Sequence, residues 1–325
     1  MTSRHHLSPG VIALTAAGGA LIAGQSRVNG QLSTLLGNNL QAALVSFSTG
    51  FIVLCAMALL RTDLRRGLRD IRTAVGERRL PLWHLGAGML GATFVLIQTA
   101  VVPTLGVAVF SVATLAGQSA GSLLVDRIEV RPGSRHPLSL RRLMTALITV
   151  GAVAVSVSDR LTSPGAGPLM AAVAVLAGGM IAFQRAMNAH ITDHSAHGFA
   201  TTWVNFATGT ALLVVASVVS LLRGNAFSPL PTDAPSAYLG GVIGVVYIAL
   251  AAIIVQRVDV LTFTVLSVSG QLLGSLVLDL VFPVAGLVIG WNIYAGLVLS
   301  LVGVVAGGVR PRRRSVTGTS TKEQA

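Results

Sequence analysis

The sequence predicts an all-α integral membrane protein whose ten transmembrane helices form two inverted five-helix repeats. Three observations lead there. First, the chain is 53% apolar and only 10% charged, where a soluble domain carries about 25% charged residues. Second, a set of polar motifs occurs twice. Gln25-Ser26-Arg27-Val28-Asn29 and Ser46-Phe47-Ser48-Thr49-Gly50 recur, at one constant offset, as Gln184-Arg185-Ala186-Met187-Asn188 and Asn205-Phe206-Ala207-Thr208-Gly209. Gly117-Gln118 with Gly121-Ser122 and Asp126 recurs as Gly270-Gln271 with Gly274-Ser275 and Asp279. The copies keep their polar residues while the apolar ones drift, so the chain is built from two related units. Third, the arginines are unevenly distributed between loops of alternating sides.

Apolar runs of roughly 20 residues, each long enough for a hydrocarbon core of about 30 Å, fall at 10–28, 40–60, 81–101, 104–125 and 142–158, then at 167–188, 199–222, 236–256, 260–282 and 286–309. Pro81, Pro103, Pro137, Pro164, Pro229, Pro231 and Pro283 punctuate the breaks. The first run has Arg4 before it and could pass for a signal peptide. It aligns with the sixth, mid-chain run, which places it among the mature helices. The expected organisation is a first membrane repeat over 1–160, a second over 161–309, and a basic cytoplasmic tail over 310–325.

The segment 61–80 carries Arg61, Arg65, Arg66, Arg69, Arg72, Arg78 and Arg79, and 126–142 carries Arg127, Arg131, Arg135, Arg141 and Arg142. Ten spans put both on the side of the N-terminus and of the basic tail, so both termini are expected in the cytoplasm. A five-span unit is odd, so its second copy enters upside down and should lose these charges. The counterpart loop 223–235 keeps only Arg223, and 283–290 has no Lys or Arg. Inverted repeats of this kind are common in secondary transporters. The net charge of +12 is then topology and attraction to anionic lipid, not nucleic-acid binding: no aromatics interleave the arginines.

Gln25 and Asn29 share one helix face, as do Gln184 and Asn188. Buried carboxamides need partners in hydrocarbon; they serve either as hydrogen-bonded glue between helices or as lining of a substrate path. Gln118, Ser122 and Asp126 form a polar stripe, repeated by Gln271, Ser275 and Asp279. Ser46 and Asn205 add polar groups on spans 2 and 7. Gly117 with Gly121, and Gly270 with Gly274, are small-residue pairs that admit a close neighbouring helix. Asp126 and Asp279 are ionisable groups near membrane depth, read either as helix-end contacts (Arg127 being a ready partner for Asp126) or as gates or proton sites.

Other residues point elsewhere. His190, Asp193, His194 and His197 have no counterparts in the first copy and are expected in a solvated cytoplasmic loop, not at a metal. Cys55 stands alone, so no intrachain disulfide forms. Trp83, Trp203, Tyr238 and Trp291 are expected as interfacial anchors. No phosphate-binding loop, HExxH or GxSxG motif is present, so neither an enzymatic function nor a cofactor is expected.

The Gln/Asn pair in the first helix, Ser-Phe with Gly in the second, and Gly-Gln-x-x-x-Ser-x-x-x-Asp in the fourth resemble the YdcZ-type family of inner-membrane exporters in the drug/metabolite transporter superfamily. The resemblance covers roughly 10–309, once per half. Many relatives resemble a single five-helix unit, so this chain resembles a fused pair. Its second copy departs from the first, with Asn205 for Ser46 and Gln256-Arg257-Val258-Asp259 for Pro103-Thr104-Leu105-Gly106. The resemblance implies a multi-pass protein of the bacterial inner membrane with a central cavity between the halves, polar but nearly uncharged, and export of a small neutral or zwitterionic metabolite or drug-like compound by alternating access. The partners implied are that substrate and the bilayer; a homodimer is left open. Two other classes stand beside this one: an uncoupled channel and a non-transporting scaffold subunit.

Overall fold

In hydrocarbon no water is available to the peptide groups, and a helix satisfies them within one segment. The chain follows this rule. The computed structural model describes residues 9–128, 130, 140–160, 167–195, 197–254, 260–284 and 288–308, and among these it is all-helical with short connections. The helices are α1 (Pro9–Leu36), α2 (Asn39–Leu60), α3 (Thr62–Gly76), α4 (Ala87–Ile128), α5 (Leu140–Ser156), α6 (Gly167–Ser195), α7 (Gly198–Leu222), α8 (Gly240–Ile254), α9 (Val260–Val281) and α10 (Trp291–Gly308). Six helical runs among the described residues are long and apolar enough to cross a membrane, the longest being Leu82–Ile128; Pro235–Ala251 and Trp291–Ala306 are shorter apolar helices. The basic tail and Gln256 to Asp259 lie outside the described residues.

Local chemistry explains several departures from expectation. The break expected at Pro103 falls instead at Gly106, whose φ of 80° and ψ of 168° interrupt α4. That backbone conformation is nearly closed to residues with a Cβ, so the glycine, not the proline, divides the helix. Segment 61–80, read as a loop, contains α3. Its Leu64, Gly67, Ile71 and Ala74 are buried, and it packs on α2, α6 and α7, with the arginines on its other faces. Arg65 Nη1 donates to the carbonyls of Ala58 (2.8 Å) and Leu59 (2.6 Å) at the end of α2, where a cation meets the negative helix terminus. The histidines after span 6 are not in a loop either: α6 continues to Ser195, burying His190. Trp83 and Trp291 are exposed, as anchors should be, but Trp203 packs partly buried beside Phe51 at 5.3 Å.

The helices exchange partners between the two halves. α4 packs on α6, α1 on α9, α2 on α7 and α8, and α5 on α10. The closest approaches come in matched pairs. A Cβ added at Gly117 would sit 1.8 Å from the Val175 carbonyl, and one at Gly270 would sit 1.9 Å from the Ala16 carbonyl. A Cβ on Gly178 would sit 2.1 Å from the Thr114 carbonyl, and one on Gly19 1.8 Å from that of Ser267. Gly121 touches Gly179 and Ala182, while Gly274 touches Ala20 and Ala23. Each pair consists of equivalent positions in the two copies. Helices in lipid gain little from the hydrophobic effect against each other, so bare backbone surfaces in van der Waals contact supply the adhesion.

Asp279 latches the halves at the α4 break. Its carboxylate, 1% exposed, accepts hydrogen bonds from the backbone N–H of Val107 (2.9 Å) and Ala108 (2.7 Å). These N–H groups begin the C-terminal arm of α4 and have no partner within it; a negative charge there also meets the positive end of the helix dipole.

Candidate functional site

A cavity of about 440 Å³ lies where α1, α2, α4, α6, α7, α8 and α9 converge, within the size range of small-molecule sites. Seven residues singled out from the sequence line it: Gln25, Ser46, Gln118, Gln184, Asn188, Asn205 and Gln271. Phe47, Phe94, Phe110 and Phe206 supply apolar wall; Phe47 and Phe206 lie 5.1 Å apart, and Phe94 and Phe110 5.7 Å apart.

Glycines set the depth of this space, again in matched pairs. A Cβ on Gly91 would come within 2.5 Å of Gln184 Nε2, and one on Gly244 within 3.0 Å of Gln25 Nε2. A Cβ on Gly88 would sit 2.0 Å from the Asn205 carbonyl, as one on Gly241 would sit 1.9 Å from that of Ser46. Each carboxamide of α1 and α6 is thus held against bare backbone of a helix from the other half.

The two ends of the cavity differ. At one end Asn29 Nδ2 donates to Gln98 Oε1 at 2.7 Å, and Gln98 Nε2 donates to Ser26 Oγ at 2.7 Å. Asn29, Gln98, Ser26 and Ser46 are each no more than 2% exposed. At the other end Asn205 Nδ2 donates to Asn188 Oδ1 at 2.9 Å. There Asn188 is only half-buried, and the wall runs out to exposed Gly198 at the start of α7. Asn205 Oδ1 is buried and has no hydrogen-bond partner among the described residues, and the same holds for Asn29 Oδ1 at the closed end.

The remaining sequence-derived residues sit elsewhere. Asn29 is locked beneath the cavity by Gln98. Ser122 is exposed and bonds the Ser119 carbonyl in its own helix, and Ser275 is buried and bonds that of Leu272. The stripes therefore contribute Gln118 and Gln271 to the cavity, but not their serines. Asp126 pairs with Arg142 at the start of α5, not with Arg127. Gly117, Gly121, Gly270 and Gly274 form the helix seams already described.

Two contributors were not anticipated. Gln98 carries the closed-end network, yet no matching motif marks it in the second copy. Arg185 lines the cavity with its side chain exposed. It overturns the expectation of a nearly uncharged cavity. The repeat itself hid it, because its counterpart is Ser26.

A cavity enclosed by apolar helices and walled by carboxamides and aromatics is the architecture of a membrane transport protein. The chain belongs to the YdcZ family, described as "Putative inner membrane exporter, YdcZ"; the family model matches twice, over residues 10–155 and 169–306. It is therefore a multi-pass inner-membrane protein of an exporter family, with a small molecule and the bilayer as its partners. No curated protein matches the chain.

Proposed function

We propose that the protein exports a small metabolite by alternating access, as ten spans in two inverted five-helix repeats over 1–160 and 161–309, with both termini cytoplasmic. The observation that carries this reading is the central cavity, walled by equivalent residues of both halves, closed at the Ser26 end and open at the Gly198 end. Two copies of one unit can adopt each other's conformation, and exchanging them moves the opening to the other face. By the arginine asymmetry the present opening is cytoplasmic. Gln25, Ser46, Gln118, Gln184, Asn188, Asn205 and Gln271 contact the substrate by hydrogen bonds. Asn29, with Gln98, closes the outer end. Asp126 and Asp279 hold helix ends, so no deep carboxylate is left as a proton site. The carboxamides suit neutral and zwitterionic groups alike.

Accessibility tests this without knowing the substrate. In a Cys55→Ser background, Thr192→Cys reports the open end and Ser46→Cys the closed end. A membrane-impermeant maleimide should modify Thr192→Cys in inside-out vesicles and Ser46→Cys in spheroplasts. Prior blocking of the first with a bulky maleimide should suppress the second. Undiminished modification of Ser46→Cys in spheroplasts after that block would instead mean a continuous pore, and protection of both from either face a sealed scaffold.

A further inference from the structure

We infer that the transported molecule is a monocarboxylate with an apolar body, held by Arg185. This rests on the reading above and adds the substrate class to it. Of the residues lining the cavity, Arg185 alone is charged; no Asp, Glu, Lys or His joins it. Among the described residues its guanidinium makes no hydrogen bond or ion pair; its one electrostatic neighbour is Tyr247. Its side chain is exposed to the cavity, three residues before the end of the apolar run 167–188. A charge within a membrane span is costly, and where one faces a cavity it marks a candidate ligand site.

Equivalent positions sharpen the assignment. The first copy has Ser26 and Phe94 where the second has Arg185 and Tyr247, and all four line the same cavity. Packing does not explain the change, since the first copy folds around the smaller, neutral pair. The second copy has gained a forked cation and a phenol on one wall. A guanidinium presents paired N–H donors that match a carboxylate, and the phenol adds a further donor. Gln184 and Asn188 flank the same wall of α6.

The rest of the cavity fixes the remaining charge at zero. One guanidinium neutralises one negative charge; a dianion would bring a second with no partner. An ammonium group would find hydroxyls, carboxamide oxygens and ring faces but no carboxylate among the lining residues, with the guanidinium repelling it at short range. Phe47, Phe94, Phe110 and Phe206 fit an apolar body. The charge also bears on energetics. A membrane potential negative inside drives a monoanion outward by about tenfold for every 60 mV, so export of this class needs no coupling ion.

Matched probe sets test the inference on the full-length protein in detergent. Phenylacetate, phenylacetamide, phenethylamine and phenylalanine form one set; hexanoate, hexanamide, hexylamine and norleucine form the other. Binding is read by isothermal titration and by the ligand-dependent rise in unfolding temperature. The acids should bind, and each amide, amine and amino acid should bind at least about tenfold more weakly. Arg185→Gln should weaken the acids to the level of the amides, and Arg185→Lys should restore part of the loss. Arg185→Gln should leave the ligand-free unfolding temperature unchanged. Equal binding of acid and amide, preference for the amino acid, undiminished acid binding by Arg185→Gln, or failure of every acid to bind would each overturn it. The maleimide experiment uses no ligand, so it can succeed when this one fails, and alternating access then stands without the carboxylate.

Discussion

The Asn29 end and the Asn188 end of the cavity are built from equivalent residues, yet one is sealed and the other is open. At the sealed end Asn29 reaches across to Gln98 on α4, which in turn donates to Ser26. At the open end Asn188 bonds Asn205 on the adjacent helix α7, and among the described residues no carboxamide hydrogen bond bridges the cavity. The difference teaches that closure here is a matter of who the carboxamide bonds: across the space, or beside itself. Buried amide bonds of this kind contribute only about 0.6 kcal/mol each on average in membranes, which suits a contact that must be broken in every cycle.

The comparison can be broken most severely at the seams that both ends share. Gly117→Leu and Gly270→Leu each force a side chain into a carbonyl already closer than 2 Å to the Cβ position. Each should cost about 3 kcal/mol or more, read as loss of monodisperse protein and a sharply lower unfolding temperature. Next comes the aspartate pair. Asp279→Ala leaves two buried N–H groups unpaired and should cost about 2–4 kcal/mol. Asp126→Ala removes a partly exposed ion pair with Arg142 and should cost under about 1 kcal/mol. Equal losses in thermal unfolding would mean that the two equivalents do the same work after all.

Function separates from stability in the double variant Gln118→Ala with Gln271→Ala. It removes the matched carboxamides from both halves and should reduce flux into proteoliposomes about tenfold or more, with insertion and unfolding temperature kept. Full flux would take these residues out of the path. The smallest effect is the sharpest test of closure. Asn29→Leu deprives Gln98 of its donor and should raise the maleimide reactivity of Ser46→Cys from the periplasmic face about tenfold; Asn188→Leu should leave it unchanged.

Much of this was legible in the sequence because polar residues kept through a duplication are few. Gln25, the Gln184/Asn188 pair, Gln118 with Gln271, and the glycines beside them led to the cavity wall and to tight helix contacts, while Asn29 led to the closed end. What was not legible follows from chemistry that repetition does not mark. Arg185 was passed over because its counterpart is a serine. Gln98 lay in an apolar run, and only the fold brings it opposite Asn29. Arginines dominated the reading of α3, although Leu64, Leu68, Ile71 and Val75 recur at helical spacing along one side. The histidines escaped for a different reason: polar residues past an apolar run look like a loop, but α6 continues into the protein. There His190 Nδ1 lies 3.1 Å from His84 Nε2, beside the Val130 carbonyl at 3.0 Å from the same nitrogen.

The exchanged glycine seams have a consequence in time. A ribosome adds about 5–20 residues each second, and helices enter the bilayer before they associate. α4 therefore waits roughly 10 s for α6 to be made, and α1 waits some tens of seconds for α9. Throughout that interval Gly19 and Gly117 present bare backbone to lipid and to any passing helix. The nascent first half is a set of grooves without ridges, and what protects it from wrong partners is the speed with which its own second half arrives.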